Sequence, residues 1–463
     1  MAALTNLIST WIKNGNPSIV VGDVNKEKTF RDLFNQVLHR SPFYLRYSLD
    51  RKRPDLFLIH PTELSDMSDP VVLECNGIIL RKKTFEIVAR GMDNICDVDI
   101  DQAMSYLDTP DTYALEEAED GTVLRVSYID DQWVVSTNRC IDATRARWSS
   151  SKTFYRLLCE TVSEAPFNLF ERDLAKDETH SFILLHPENQ LVIPHRVPQL
   201  VYVGSRHIGT FVETSSISQH GLSWCGSPHS LSAEECRSNL KNQEMHIRRG
   251  IIFTKNSTGD SPTIRWKVDY EWFKIASSLR KNLPAMHLSY LACSVEERTL
   301  FRNYFGSNAV FDIIDRLLVS LRKYTMYVYR DTYILKRYKL PRNHPMRDFL
   351  YCLHGIYLVN REPIRIEHVE TFIQKQSVHV LDPILRFLSN LEQFNSKQIV
   401  NQFDDIEMED ATRVVNRDHL TGHTAKGGRR APKNSQNRRE GLTVLSPTAD
   451  AYETHFPTLT GVQ

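Results

Sequence analysis

The chain has 463 residues, room for two or three domains, and its 41% hydrophobic and 25% charged content is that of an ordinary globular protein. Its 57 lysines and arginines equal its 57 aspartates and glutamates, so global charge gives no argument for a nucleic-acid partner; only local patches can. No apolar run is long enough to span a membrane. The N-terminus lacks the basic-then-apolar layout of a signal peptide. Eight scattered cysteines without a CxxC read as reduced thiols of an intracellular protein.

In chain order, TFRDLFNQVL (29–38) carries apolar residues at helical spacing. Residues 70–275 read mostly as strands: VVLECNGIIL, FEIVAR, YALEEA, TVLRVSYI, QWVVSTN, SFILLH, QLVIPH and LVYVGSRH are short β-branched or aromatic runs divided by turn residues. Helices interrupt them at 151–162 and 232–242. The mixture predicts an α+β domain of antiparallel sheets over 1–275. His220, Cys225, His229 and Cys236 fall near one another, but their spacing matches no common zinc pattern; they read as loop and core residues, and no metal site is assigned.

From about 276 the apolar spacing becomes three-to-four, in VEERTLFRNYF, VFDIIDRLLVSLRKYTMYVYRD and HVLDPILRFLSNLEQF, which predicts a separate all-α domain over 276–400. Residues 401–463 read as a disordered tail, with an acidic run at 404–410 and then Lys426, Arg429, Arg430, Lys433, Arg438 and Arg439 in a stretch of little apolar content. Those six cations are RNA-binding candidates, and the tail, ending in FPTLTGV, is a candidate contact for a protein partner.

Five short elements carry a further reading. They are LECNGIIL (73–80) with VARGMDNICDV (88–98), EEAEDGTVLRVSYID (116–130), FILLHPENQLVI (182–193), RRGIIF (248–253) and IRWKVDYEW (264–272). Their order over about 200 residues resembles that of the bacteriophage RNA ligase 1 family. In that family the elements are ECRG, the nucleophile motif K-x-D-G, a Phe-Glu strand ending in Pro-x-Asn, E-G-x-V and K-x-K. The resemblance implies a nucleotidyltransferase (ATP-grasp-like ligase adenylation) domain. It also implies a helical C-terminal domain by position and type. The implied activity is ATP-dependent joining of RNA ends: a lysine takes AMP from ATP, carboxylates hold a divalent metal against the phosphates, and lysines neutralise the transferring group.

The departures from the family pattern fall on that chemistry. The nucleophilic lysine matches Ala118, while Asp120 and Gly121 are kept. The Phe-Glu glutamate matches Ile183, with Phe182, Pro187 and Asn189 kept. The E-G-x-V glutamate matches Arg249, with Gly250 kept. The ECRG arginine matches Asn76, and the first lysine of K-x-K matches Arg265, with Lys267 kept. Alanine forms no phosphoramide, so no catalytic residue is assigned and whether the protein is an enzyme stays open. The expectation is a degenerate ligase acting as an RNA- or phosphate-binding or structural module. Its nucleotide- or phosphate-binding candidates are Arg90, Glu119, Asp120, Gly121, Arg249, Arg265 and Lys267. The alternative is an active ligase, using ATP and magnesium, in which Lys82, Lys83, Lys152 or Lys255 replaces the lost nucleophile. Asp120-Gly121 also fits a simple hairpin turn. Tyr128, Trp133, Trp266 and Trp272 read as packing rather than base-stacking residues. The family occurs in large DNA viruses among other sources, which implies host cytoplasm or virion as the location and no membrane association.

Overall fold

The computed structural model describes residues 3–13, 31–109, 112–214, 222–242, 247–255 and 263–394. The chain divides into two compact units, Met1–Phe311 and Asp312–Gln463. The first is the α+β unit with antiparallel sheets. The basic and acidic runs after 400, and His220, lie outside the described residues.

The first sheet runs β1 (Arg46–Leu49), β2 (Leu56–His60), β3 (Ile78–Arg81), β4 (Ile87–Ala89), each strand antiparallel to the next. Its β2 segment Leu56–Ile59 is apolar at every position because both faces are covered. Phe57 and Ile59 pack with Leu4 and Ile8 of the helix Ala3–Lys13. Leu56 and Leu58 pack with Ile129 and Val134 from the next sheet.

One expected strand is a helix at its start. Val71 to Glu74 lie in the helix Pro70–Glu74, because Asp69 caps it: its Oδ1 accepts the N–H groups of Val71 (2.8 Å) and Val72 (3.4 Å), and proline occupies the first turn. The strand begins only at Ile78, after Gly77 turns the chain at φ +74°.

The third and second sheets are interleaved in sequence. Strands β5 (Cys96–Asp97), β6 (Tyr113–Ala118), β12 (Gly250–Lys255) and β13 (Arg265–Asp269) form a sheet in the order β5-β13-β12-β6. Strands β7 (Thr122–Ile129), β8 (Gln132–Thr137), β9 (Glu178–Leu185), β10 (Gln199–His207) and β11 (Glu213–Thr214) form the other, in the order β11-β10-β9-β7-β8. All pairings are antiparallel except β5 with β13. The β7–β8 hairpin turns on Asp130 and Asp131, both at positive φ, as a two-residue loop requires.

The expected strand QLVIPH (190–195) is a loop. The N–H groups of Val192 and Ile193 donate to Asp120 Oδ2 at 2.9 and 2.8 Å, so they are not free for a ladder, and Pro194 has none to give.

The helices Phe154–Thr161 and Pro166–Asp173 cover one face of the five-stranded sheet through Leu157, Leu158, Leu169 and Phe170. Trp133 is buried in that core with Tyr128 against it, and Trp272 and Trp266 belong to the core of the third sheet, so all four aromatics pack. Helices Met286–Ala292 and Val295–Phe305, sequence neighbours of the helical stretch, fall within the first unit. The second unit is helical where described, with Met346–Asn360, Ile366–Gln374 and Val378–Phe394 following the helix Ala309–Tyr329.

Candidate nucleotide cleft

Across the third sheet Ala118 pairs with Gly250 and Gly250 with Asp269; the next rows are Glu116–Ile252–Lys267 and Ala114–Thr254–Arg265. Residues directly opposite in a ladder project to the same side. Ala118, Asp269, Lys267 and Arg265 therefore share one face. The other face buries Leu115, Ile251, Phe253 and Val268 against Cys236, Leu240, Phe273 and Ala276 of flanking helices.

At the Ala118 end lies a cleft of about 340 Å³. Glu117, Ala118 and Glu119 line one side, Ile193 to Val197 another, and Ile247 to Arg249 a third. Ala118 is only 3% exposed, at the cleft floor. No lysine is among the described residues lining it. Arg248 Nε stands 2.9 Å from Glu117 Oε1. Arg249 Nε stands 3.0 Å from Asp269 Oδ1, and its guanidinium lies over the Phe273 ring at 5.0 Å. Arg196, at the rim, is exposed and has no carboxylate partner among the described residues. Burial raises the carboxyls of Glu117 and Glu119 above the ordinary range, and the Glu117 charge pushes Glu119 further.

Of the seven candidate binding residues, the structure brings Glu119 and Arg249 to this cleft. Asp120 is buried and holds the cleft wall through Val192 and Ile193. It does not close a hairpin: β6 and β7 belong to different sheets, so Asp120-Gly121 is a crossing point. Gly121 is required there, since a Cβ would stand 2.6 Å from Ile183 Cγ2 and 2.7 Å from the Leu184 carbonyl. Lys267 Nζ is held by Asp269 at 2.8 Å and Asp97 at 3.1 Å. Arg265 Nη1 meets Glu213 at 2.8 Å. Arg90 Nη2 meets Asp93 at 2.9 Å and Glu74 at 3.4 Å. These last three are absent from the cleft lining. Sequence reasoning missed His195, Arg196 and Arg248; the doubled arginine in RRGIIF was the available signal for Arg248.

Behind the cleft, arginines crowd the interior. Asp93 bridges Arg90 and Arg206, each at 2.9 Å, and Glu213 joins Arg206 to Arg265. Burial tends to raise the Asp93 carboxyl, but Arg206 and Arg90 hold it below its ordinary value. Arg125 is fully enclosed and, among the described residues, touches no carboxylate; Nη1 donates to Asn138 Oδ1 at 2.6 Å, and Nε has no partner among them. Burial lowers its pKa to about 10. Gly77, kept from the ECRG-like element, and Gly91 of the segment after it form the walls of its slot: a Cβ on Gly77 would lie 2.6 Å from Nη1, and one on Gly91 would strike Nε.

Other retained motif residues also serve structure. Glu74 accepts the N–H groups of Ala3 (2.7 Å) and Leu4 (3.0 Å), capping the first helix. Asn189 accepts from Ser149 (3.0 Å) and donates to Thr122 (2.8 Å). Among alternative lysines, Lys152 Nζ is held by Glu160 and Glu188, Lys82 and Lys83 sit in the turn after β3, and Lys255 ends β12 away from Ala118. Cys236 is in the core of the third sheet while Cys225 packs on that of the second. Among the described residues no group of His, Cys, Asp and Glu could hold a metal ion. Nor is any helix among them long and apolar enough to cross a membrane.

The cleft floor offers a methyl group, Ile183 packs apolar against Gly121, and Arg249 sets a cation beside the cleft carboxylates Glu117 and Glu119.

The chain's sequence is similar to those of viral proteins. It is 23% identical over 296 residues to an immediate-early protein ICP-46 homolog of Invertebrate iridescent virus 6, covering 58% of this chain and 63% of the relative. It is 25% identical over 221 residues to a putative bifunctional polynucleotide kinase/RNA ligase of Autographa californica nuclear polyhedrosis virus, covering 42% of this chain and 30% of the relative. The chain thus spans less than two thirds of the length of either curated relative. Among solved structures, a putative ATP-dependent DNA ligase from Aquifex aeolicus aligns at 12% identity and TM-score 0.37, over 66% of this chain and 75% of that one. An archaeal ATP-dependent RNA ligase aligns at 10% identity and TM-score 0.37, over 61% and 73%. No family model matches.

Proposed function

We propose that this chain is a degenerate RNA ligase that binds the phosphates of RNA without covalent chemistry, in the service of a virus within its host cell. The observation that carries this reading is Ala118 at the floor of a cleft lined, among the described residues, by Arg196, Arg248 and Arg249 and by no lysine. An arginine fork suits phosphate oxygens, and nothing at the floor can accept AMP. One relative is named as a polynucleotide kinase/RNA ligase, which supports RNA as the partner. The candidates Arg90, Glu119, Asp120, Gly121, Arg249, Arg265 and Lys267 divide in this reading into contact residues, Arg249 and Glu119, and residues that hold the walls. A helical domain, expected over 276–400 with its compact part starting at Asp312, and an RNA- or protein-binding tail complete the proposed organisation.

The test is incubation with α-labelled ATP and magnesium, followed by denaturing gel electrophoresis, beside a salt titration of RNA binding. The expected result is no labelled protein, with RNA retained at low salt and weakened by Arg196→Glu. A label bonded to any lysine would overturn the reading in favour of an active ligase with a displaced nucleophile.

A further inference from the structure

We propose a separate single-stranded nucleic-acid platform on the helical second unit, formed by the turn after its first helix and the exposed side of helix Met346–Asn360. It shares with the cleft reading only the expectation of a nucleic-acid ligand and uses none of the cleft residues. Residues 322–347 hold eight lysines and arginines against one acid, Asp331. That acid is buried and already engaged by Arg330 and Arg337. Lys336, Lys339, Arg342 and Arg347 are exposed and have no carboxylate within ion-pair distance among the described residues. A concentration of unpaired cations on one stretch of a chain with zero net charge is a phosphate-binding signature.

Aromatic rings stand beside Arg347, whose Nη1 also reaches the Arg342 carbonyl. Tyr329 stacks on Tyr333 (centroids 5.3 Å apart), Tyr333 on His354 (4.1 Å), and His354 on Tyr357 (5.4 Å), with Tyr329 Oη 3.0 Å from His354 Nδ1. The column is thereby fixed in orientation. Tyr351, 71% exposed, and Arg347 both lie near enough to Tyr333 to act on its hydroxyl. Tyr338 is 40% exposed in the basic turn itself. Exposed tyrosines present flat apolar faces, and every base offers a π-face to stack on one. A duplex hides those faces, so the juxtaposition of flat rings and free cations selects single strands by stacking and backbone charge rather than by sequence.

The experiment is fluorescence anisotropy of the full chain with labelled single strands of about 12 nucleotides, RNA and DNA, and with the matching duplex. Expected is tighter binding of either single strand than of duplex. The triple variant Lys336→Glu, Lys339→Glu, Arg342→Glu should weaken it at least about tenfold and flatten the salt slope by about 2, at roughly 0.7 per phosphate. Tyr351→Ala should weaken binding about tenfold with the salt slope unchanged. All four positions are exposed, so circular dichroism should show native helix content in each variant. Triple-variant binding within about twofold of the parent overturns the proposal, as does duplex bound as tightly as single strand. Equal competition by polyglutamate would also overturn it, pointing to an acidic protein instead. Arg196→Glu separates the two sites. A loss with that variant alone leaves the cleft reading standing and removes this one, and a loss with the helical-unit variants alone does the reverse.

Discussion

Arg249 and Lys267 share one carboxylate: Asp269 offers Oδ1 to the arginine at 3.0 Å and Oδ2 to the lysine at 2.8 Å. The two cations come from different stretches of the sequence, one before β12 and one within β13, and both meet this acid, with Asp97 a second partner for the lysine. Asp269→Asn should therefore release positive charge beside the cleft. RNA binding is expected to tighten a few-fold, with a salt slope steeper by about 0.7. Thermal stability should fall by about 1–3 kcal/mol, because two half-buried cations lose a partner. Unchanged affinity and salt slope would detach this pair from ligand binding.

Asp120 is kept for architecture. Asp120→Ala removes the acceptor of two buried N–H groups, at a cost of about 2–4 kcal/mol in chemical denaturation. Asp120→Asn keeps a carbonyl oxygen and should recover part of the loss.

Gly121→Ala is expected to cost about 1–3 kcal/mol, since its Cβ would enter the packed contact with Ile183 and the Leu184 carbonyl. Pairing it with Ile183→Ala should recover only the Ile183 share, because the contacts with Leu185 Cδ2 and the Leu184 carbonyl remain.

The slot around Arg125 gives a coupling test. Gly91→Ala alone should destabilise by about 1–3 kcal/mol. In an Arg125→Ala background the same change should cost measurably less, because the atom it strikes is gone. Additive effects would show that the glycine serves some other contact.

The acidic side of the cleft gives a pH test. Glu119 has a carboxyl held above its ordinary value of 4.5 by burial and by Glu117. A group raised in the folded state contributes stability fully below the unfolded value, and that contribution is lost as pH rises through the folded one. Charged Glu119 therefore weakens the fold at neutral pH. Glu119→Gln should melt higher than the parent at pH 7, with the gap closing below about pH 4.5.

Much of the scaffold was legible from alternation and spacing. Arg265 and Lys267 lie two apart on a strand, so their common face followed from the pleat, and β6, β7, β8, β10 and β12 were visible as β-branched or aromatic runs. The helix Pro70–Glu74 was hidden because Val71, Val72 and Leu73 look like strand while Asp69 and Pro70 decide the matter locally. The loop at 190–195 was hidden because its hydrogen bonds go to a residue 72 positions away. The same distance effect concealed the ion pairs on Arg90, Arg265 and Lys267. Sequence showed cations of the right kind, but not the carboxylates, such as Glu213, that the sheets bring beside them.

The strap from Glu119 to Gly121 has a mechanical consequence. Three residues separate β6 from β7, and the middle one is bolted to the wall that continues into Ile193. The two leaves of the protein thus share a tether too short for slack, with its anchor at the very edge of the opening. At this edge the spacing of the two sheets is therefore held by covalent length.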